Sequence, residues 1–346
     1  MVAKIKYFSS NFAPKKLLMK NLYFSVIIPV FNRPDEVEEL LESLSKQTLK
    51  CFEVLIIEDG STIPCENICK NYENLLPLRY YFKPNSGRSE TRNYGMEKAN
   101  GNYFVIFDSD CIIPPSYFEM VSKSLTDNYI DCYGGPDGAD HSFSNLQKAI
   151  NYSMTSILTT GGIRGATKKR EKFSPRSFNM GFSKEVYEKV GGFKNMIAED
   201  MDLSIRIKNS GFKTTLIKEA FVYHKRRVNV KKFYKQIFTF GKGRVLLRNI
   251  HKGSLKLVHL FPMFFVLGNC GLVLFGLIFL NPFFLLPIFI YIIAIFVDSL
   301  IKNKKITIAF LSIITSFIQL FGYGFGFITE WVTKKSSKTA QEKLYG

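Results

Sequence analysis

Acidic residues are missing from one long stretch of this chain: none occurs between Glu219 and Asp298. The six cysteines, Cys51, Cys65, Cys69, Cys111, Cys132 and Cys270, include no C-x-x-C pair. Their scatter reads as free thiols in a reducing compartment. A metal site at Cys65 and Cys69 lacks a second ligand pair. Tryptophan is reduced to Trp331. The opening stretch MVAKIKYFSSNFAPKK has no continuous apolar core. Residues 1–22 therefore read as an extension and not as a signal peptide.

What is present is lopsided. Of 346 residues, 46% are hydrophobic and 33 are phenylalanine, while the formal net charge is +18. Such a charge calls for an anionic partner: nucleic acid, a phosphorylated substrate or acidic lipid. From Leu257 onward the composition turns apolar. LVHLFPMFFVLGNCGLVLFGLIFL, NPFFLLPIFIYIIAIFV and ITIAFLSIITSFIQLFGYGFGFI follow one another with almost no charge. Each approaches or exceeds the length needed to span a bilayer, about 20 residues. The stretch preceding them, KRRVNVKKFYKQIFTFGKGRVLLRNIHKGSLK, is dense in Lys and Arg. Positive segments beside a first span stay cytoplasmic, so the multi-pass region is expected in the cell (inner) membrane with the first half on the cytoplasmic face. The KNKK loop is also expected there, which makes the first two spans a hairpin. A third full crossing would put TKKSSK outside, against the same rule. The region 257–330 is therefore read as two to three spans, 229–256 as a basic interfacial segment and 331–346 as a tail. Adjacency to the spans favours membrane lipids and a phosphorylated substrate as partners, and no nucleic acid.

The first half alternates. FSVIIPVFN, FEVLIIEDGS, LRYYFKP and YFVIFDSD read as strands. RPDEVEELLESLSKQ and SGRSETRNYGMEKAN read as helices, the first with Val37, Leu40, Leu41 and Leu44 at helical spacing and Pro34 in its first turn. Apolar strands separated by helices predict a parallel α/β sheet covered on both faces. Ligands of such sheets bind at the carboxyl ends of the strands. Those ends carry Pro29, Phe31 and Asn32, then Glu58 and Asp59, then Asp108 and Asp110. A single strand-end Asp is commonly a cap or turn former. Three polar ends on one edge point to a ligand site. Side chains i and i+2 of an extended segment share a face, so Asp108 and Asp110 can face one metal-phosphate group, and carboxylates suit a hard divalent cation. SFNMGFSKEVYEKVGGF reads as strand, helix and Gly stop, and AEDMDLSIRIKNSGF as a helix opening on Glu199, Asp200 and Asp202. The local pattern there favours capping, with a proton-accepting carboxylate as the sharper reading. TTLIKEAFVYHKRR reads as one last strand ending in His224, a surface histidine or a metal ligand.

In this order the motifs resemble a family 2 glycosyltransferase with a GT-A type fold, over Phe24 to Arg227. The domain expected is 23–228. The resemblance implies a nucleotide-sugar donor, a UDP-sugar by that likeness, and Mn2+ or Mg2+. It implies donor contacts at Pro29, Phe31, Asp59 and Arg88, with Arg92 and Asn93 nearby. It places Asp108 towards the ribose, Asp110 and His224 on the metal, Asp200 as catalytic base, and Glu199 and Asp202 beside the acceptor. Inversion at the anomeric carbon follows, with a glycan or lipid-linked acceptor in cell-envelope polysaccharide or glycoconjugate synthesis. Processive members carry Gln-x-x-Arg-Trp, which this chain lacks, so single transfer is expected. A lipid-phosphate acceptor, as in dolichyl-phosphate mannose synthases, is the alternative; it needs no general base. A nucleotidyltransferase would want a Gly-rich loop and lysine after the first strand, where PVFNRPDE stands. A catalytically dead scaffold is at odds with the intact acidic motifs.

Overall fold

A computed structural model describes residues 22–138, 143–161, 173–225 and 229–333. The extension, the end of the KRR run, parts of the Gly-rich stretch after Gly134 and the end of the tail lie outside the described residues.

Seven strands form the main sheet, in the order β3-β2-β1-β4-β8-β6-β9. β1 (Phe24–Val30), β2 (Phe52–Asp59), β3 (Leu78–Lys83) and β4 (Tyr103–Phe107) are parallel neighbours, as their unbroken apolar runs require. Helices α1 (Pro34–Ser45), α2 (Glu66–Tyr72), α3 (Arg88–Lys98) and α4 (Tyr117–Asp127) connect and cover them. Alternate residues of β1 serve opposite cores: Phe24, Val26 and Ile28 on one face, Ile27 on the other.

The expected all-parallel sheet is corrected at β8 (Asn179–Ser183). It runs antiparallel to β4, from Tyr103↔Ser183 to Phe107↔Asn179, and antiparallel to β6 (Cys132–Gly134). An apolar run does not encode its direction. At the end of β8 the buried Asn179 accepts from the Tyr117 hydroxyl at 2.6 Å and donates to the Ala220 carbonyl at 2.8 Å.

The single last strand expected over 214–224 is also corrected. It divides into β9 (Thr214–Leu216), on the edge of the main sheet, and β10 (Val222–His224). β10 sits in a second sheet, between β5 (Cys111–Ile112) and β7 (Asp137–Gly138). The break falls where Ile217 N–H donates to the Gly134 carbonyl and the chain turns at Lys218–Glu219.

Beyond Gly138, α5 (Asn145–Thr155) starts on a capping box between Ser144 and Gln147 and is followed by the single turn α6 (Ile157–Thr160). α7 (Lys184–Val190) and α8 (Glu199–Asn209) cover the second face. α9 (Val230–Ile250) leads to α10 (Phe261–Ile278), α11 (Leu286–Asn303) and α12 (Ile306–Val332). The last three carry segments long and apolar enough to cross a membrane, with mean hydropathies of 2.1, 2.5 and 1.8. α12 is the inner helix: 44% of its apolar window is buried, against 11% in each of the others. Trp331, expected in the tail, lies in its last turn and packs on the Arg248 guanidinium at 4.7 Å.

α9 and α12 touch through glycines. A Cβ on Gly326 would collide with the Phe238 carbonyl oxygen, and one on Gly241 with the Tyr323 carbonyl oxygen. In an open helix Gly→Ala gains about 1 kcal/mol. Here Gly326→Ala is expected to lower the unfolding midpoint, because pushing two backbones apart costs about 1–3 kcal/mol. Gly268→Ala, whose methyl would meet nothing within 4 Å, is the control and should not lower it. Thermal unfolding of both variants in the same detergent decides this.

Candidate active site

The site forms where β4 ends. The apolar run stops at Phe107, and residues 108–110 turn, with Cys111 N–H donating to the Asp108 carbonyl at 3.2 Å. The expected shared face of Asp108 and Asp110 is therefore corrected. The i, i+2 rule holds for extended backbone, and this segment is a turn, so the two carboxylates part.

Asp110 is drawn towards the second sheet. The pairing His224↔Cys111, with Lys225 N–H donating to the Asp110 carbonyl at 3.0 Å, brings the ends of β5 and β10 together. His224 Nε2 lies 3.1 Å from Asp110 Oδ1, and Nδ1 lies 3.8 Å from Asp137 Oδ2. Phe178 stacks on the imidazole at 4.7 Å between centroids. Metal-binding imidazoles commonly present one nitrogen to the ion and the other to a carboxylate. Asp110 and His224 thus offer an oxygen and a nitrogen that could hold a divalent cation, with Asp137 behind the ring. The Cys111 sulfur lies within 4.8 Å of both, but burial first, and then Asp110 and Asp108, push its thiol pKa well above the ordinary value. Sulfur ligands favour softer ions than carboxylates do, so Asp110 and Cys111 offer different donor chemistries. Arg33 Nη1 approaches Asp110 Oδ2 at 3.8 Å from the β1 loop.

Asp108 is drawn the other way. Arg92, on α3 and buried, donates to Asp108 Oδ1 at 2.8 Å and to Glu199 Oε1 at 2.9 Å. Arg88 donates to the other Glu199 oxygen at 2.7 Å. A run of ion pairs therefore ties the β4 turn to the first turn of α8. Asn93 is turned away from it, donating to the Phe193 carbonyl and accepting from the Phe193 N–H, each at 2.8 Å.

α8 begins behind Ala198, which has φ of 66° and no side-chain cap. Asp200 Oδ1 accepts the Met201 N–H at 2.7 Å, and Oδ2 lies 3.6 Å from Arg176 Nη1. Its side chain keeps 17% of its surface exposed, so an incoming group can reach it. Glu199 and Asp202 are buried. Asp202 faces the other way, to Arg206 Nε and His251 Nε2, each at 2.7 Å. It ties α8 to the end of α9.

On the other flank, Phe31 is half exposed and Pro29 partly buried at the end of β1. Asn32 follows with φ of 54°, its side-chain oxygen accepting the N–H groups of Thr62 and Ile63 at 2.8 and 3.0 Å. Asp59 lies inside the loop after β3. It accepts from Ser86 N–H and Gly87 N–H, each at 2.9 Å, and from Lys83 Nζ. Burial alone would raise its pKa; the bonds from Lys83 and Ser86 outweigh it and hold the carboxyl below its usual value. Beneath the loop the Cys65 thiol donates to Glu58 Oε2 at 2.9 Å and lies 4.0 Å from the Cys69 sulfur. All six cysteines are free.

The comparisons with known proteins bear on this edge. The model of "Glycosyl transferase family 2" matches residues 25–191, which hold the strand ends, both aspartates of the β4 turn and Asp137. Over this segment, just under half of the chain, the sequence is similar to the family 2 glycosyltransferases. It is 34% identical over 113 residues to an uncharacterised glycosyltransferase of Rickettsia bellii, a match covering 33% of this chain and 16% of that protein. The chain thus spans well under two thirds of the length of that relative. Glycosyltransferase AglE of Haloferax volcanii is 24% identical over 265 residues, covering 71% of this chain and 81% of AglE. Among solved structures, the mannosyltransferase PcManGT of Pyrobaculum calidifontis, in complex with GDP-Man and Mn2+, superposes with a TM-score of 0.58. Identity is 15%, with 90% of this chain and 88% of that chain covered, so the likeness is one of fold. The chain is a mixed α/β sheet flanked by helices and followed by three helices apolar enough to cross a membrane.

Sequence reasoning missed Asp137 and Arg176. The Gly-rich stretch that holds Asp137 matches no motif, and no local pattern marks Arg176. It also gave Arg92 no partner, because Glu199 lies 107 positions away.

Proposed function

We propose that this chain is an inverting, single-transfer glycosyltransferase. It moves a sugar from a nucleotide-diphosphate sugar, of UDP type, to a hydroxyl of a membrane-associated glycan or lipid-linked acceptor in cell-envelope glycan synthesis. The observation that carries this is the continuous set of contacts at the β4 end. It runs from His224 and Asp110 through the turn to Asp108, Arg92 and Glu199, and so to the helix start that presents Asp200.

Asp200 accepts the proton of the acceptor hydroxyl. The hydroxyl oxygen bonds to the anomeric carbon from the face opposite the nucleotide, and the bond from that carbon to the diphosphate oxygen breaks. The nucleoside diphosphate leaves with the electron pair, and the proton ends on Asp200. Phe31, Asp59 and Arg88 line the nucleotide side. A divalent cation held by Asp110 and His224, when bound, supplies neutralisation of charge on the departing diphosphate. Lys and Arg beside the apolar helices support a multi-pass protein with this domain on the cytoplasmic face.

The test is Mn2+-dependent nucleotide binding by the full chain in detergent, measured by calorimetry, with a panel of UDP- and GDP-sugars. Mn2+ should raise UDP affinity. His224→Ala should remove that increment, and Asp137→Asn should weaken it about 10- to 100-fold. A chain whose UDP affinity ignores Mn2+ sinks the metal reading. A chain that turns over no nucleotide sugar in the panel sinks the transferase reading.

A further inference from the structure

Beside Asp200 the molecule holds a cavity of about 450 Å³, in the size range of small-molecule sites. One part of its wall is apolar: Met154 and Ile157 from α5 and α6, Phe240 from α9, and Leu257, Phe261 and Pro262 at the entry to α10. The other part carries the guanidiniums of Arg176 and Arg244, and no carboxylate is among the lining residues described. Ala198 and Met201, on either side of the Asp200 turn, complete it. The cavity therefore opens between the proposed base and the first of the membrane-length helices.

The two kinds of wall ask for one kind of ligand. Arg176 has Asp200 at 3.6 Å, whereas Arg244 has no carboxylate within ion-pair distance among the described residues. Burial, reinforced by the nearby Arg176 charge and only partly offset by Tyr323 and the more distant Asp200, holds the Arg244 pKa below the ordinary value. A guanidinium desolvated against apolar walls is costly unless an anion joins it. A wholly apolar ligand would leave that cost in place. A small hydrophilic anion would leave the apolar wall in water. Guanidinium pairs match phosphate oxygens with bidentate geometry.

We propose that this cavity is the acceptor site and takes a lipid phosphate or diphosphate, its head against Arg176 and Arg244 and its chain running past Phe261 and Pro262 towards the bilayer. A sugar carried on that head then presents its hydroxyl to Asp200. The assignment rests on the transferase reading above for its role, but not for its binding chemistry.

Farnesyl diphosphate is the probe, titrated into the full chain in detergent, with Mn2+–UDP affinity measured on the same samples. Farnesyl diphosphate should bind, and farnesol and inorganic pyrophosphate should each bind at least about tenfold more weakly, a difference of about 1.4 kcal/mol. Arg244→Gln should weaken farnesyl diphosphate by a similar factor while Mn2+–UDP affinity stays within about twofold, which also shows that the variant is folded. Met154→Trp, which fills the apolar end, should weaken it without touching a charge. Equal binding of farnesol, or unchanged binding in Arg244→Gln, overturns the proposal. Displacement by dihexanoyl phosphatidylglycerol at matched concentration overturns it too, since the cavity would then be a general anionic-lipid site. Loss of Mn2+–UDP binding in the unmodified chain would count against the transferase reading alone.

Discussion

Asp200→Asn is expected to lower sugar transfer about 10²- to 10⁴-fold, the range of a general base, while Mn2+-dependent UDP affinity stays unchanged. Asparagine keeps the shape of the side chain, and its oxygen can still accept the Met201 N–H that Asp200 engages at 2.7 Å. What it loses is the ability to take a proton. The nucleotide side is insulated from the change. The residue tying α8 to the β4 turn is Glu199, not Asp200, and Arg92 and Arg88 hold both of its oxygens. Three outcomes separate the readings. Full transfer activity in Asp200→Asn returns Asp200 to a helix-start residue with no chemical role. Joint loss of transfer and UDP binding makes it structural. Transfer retained to a lipid phosphate but lost to a sugar hydroxyl selects the alternative acceptor, which brings its own nucleophilic oxygen and needs no base. Arg176 approaches Asp200 from the cavity side, so Arg176→Gln should act on acceptor use before donor binding.

The parts of this architecture that sequence could disclose are those written in runs. β1, β2 and β4 are unbroken apolar segments, and Phe24–Val30, Phe52–Asp59 and Tyr103–Phe107 are strands buried nearly throughout. α1 announces itself through Val37, Leu40, Leu41 and Leu44, all buried, and through Pro34 at its start. The start of α8 was legible from three acids in one turn. What stayed hidden depends on partners far along the chain. The antiparallel β8 pairs with β4 and β6, and the partners of its buried Asn179, Tyr117 and Ala220, are 62 and 41 positions away. TTLIKEAFVYH reads as one strand because both pieces are apolar; the split follows from Gly134 and Asp110 taking the two pieces into different sheets. That split sets His224 against Asp110 and Asp137, so the detail that sequence concealed is the one that brings these three side chains together. The acceptor cavity was beyond reach for the same reason. Its walls come from several helices, and its arginines carry no motif.

The buried ion pairs make a second strong prediction. Arg92→Met is expected to destabilise the domain by about 3–5 kcal/mol, the usual cost of removing one partner from a buried pair. The Arg92 and Glu199 side chains keep only 3% of their surface each, and Phe193 packs on the guanidinium at 5.1 Å. Arg88 would remain on Glu199, but its side chain is 60% exposed and its attraction is screened by water. It cannot replace a buried guanidinium. Methionine fills a similar volume, so the loss comes from charge and not from a cavity. Arg92→Met combined with Glu199→Gln should then be more stable than Arg92→Met alone, because the double variant no longer buries an unmatched carboxylate. Unfolding midpoints at one scan rate, in one detergent, measure this; the single variant should fall by roughly 10 °C. A single variant within about 1 kcal/mol of the parent, or a double variant no better than the single, would show that water reaches Glu199 and that the link between the β4 turn and α8 is a surface pair. If the drop occurs as expected, the rigidity of that link is what fixes the distance from the proposed sugar diphosphate to Asp200. Arg92→Lys should then fail to restore activity even where it restores stability, because one ammonium cannot bridge Asp108 and Glu199 with the fixed fork that Arg92 provides.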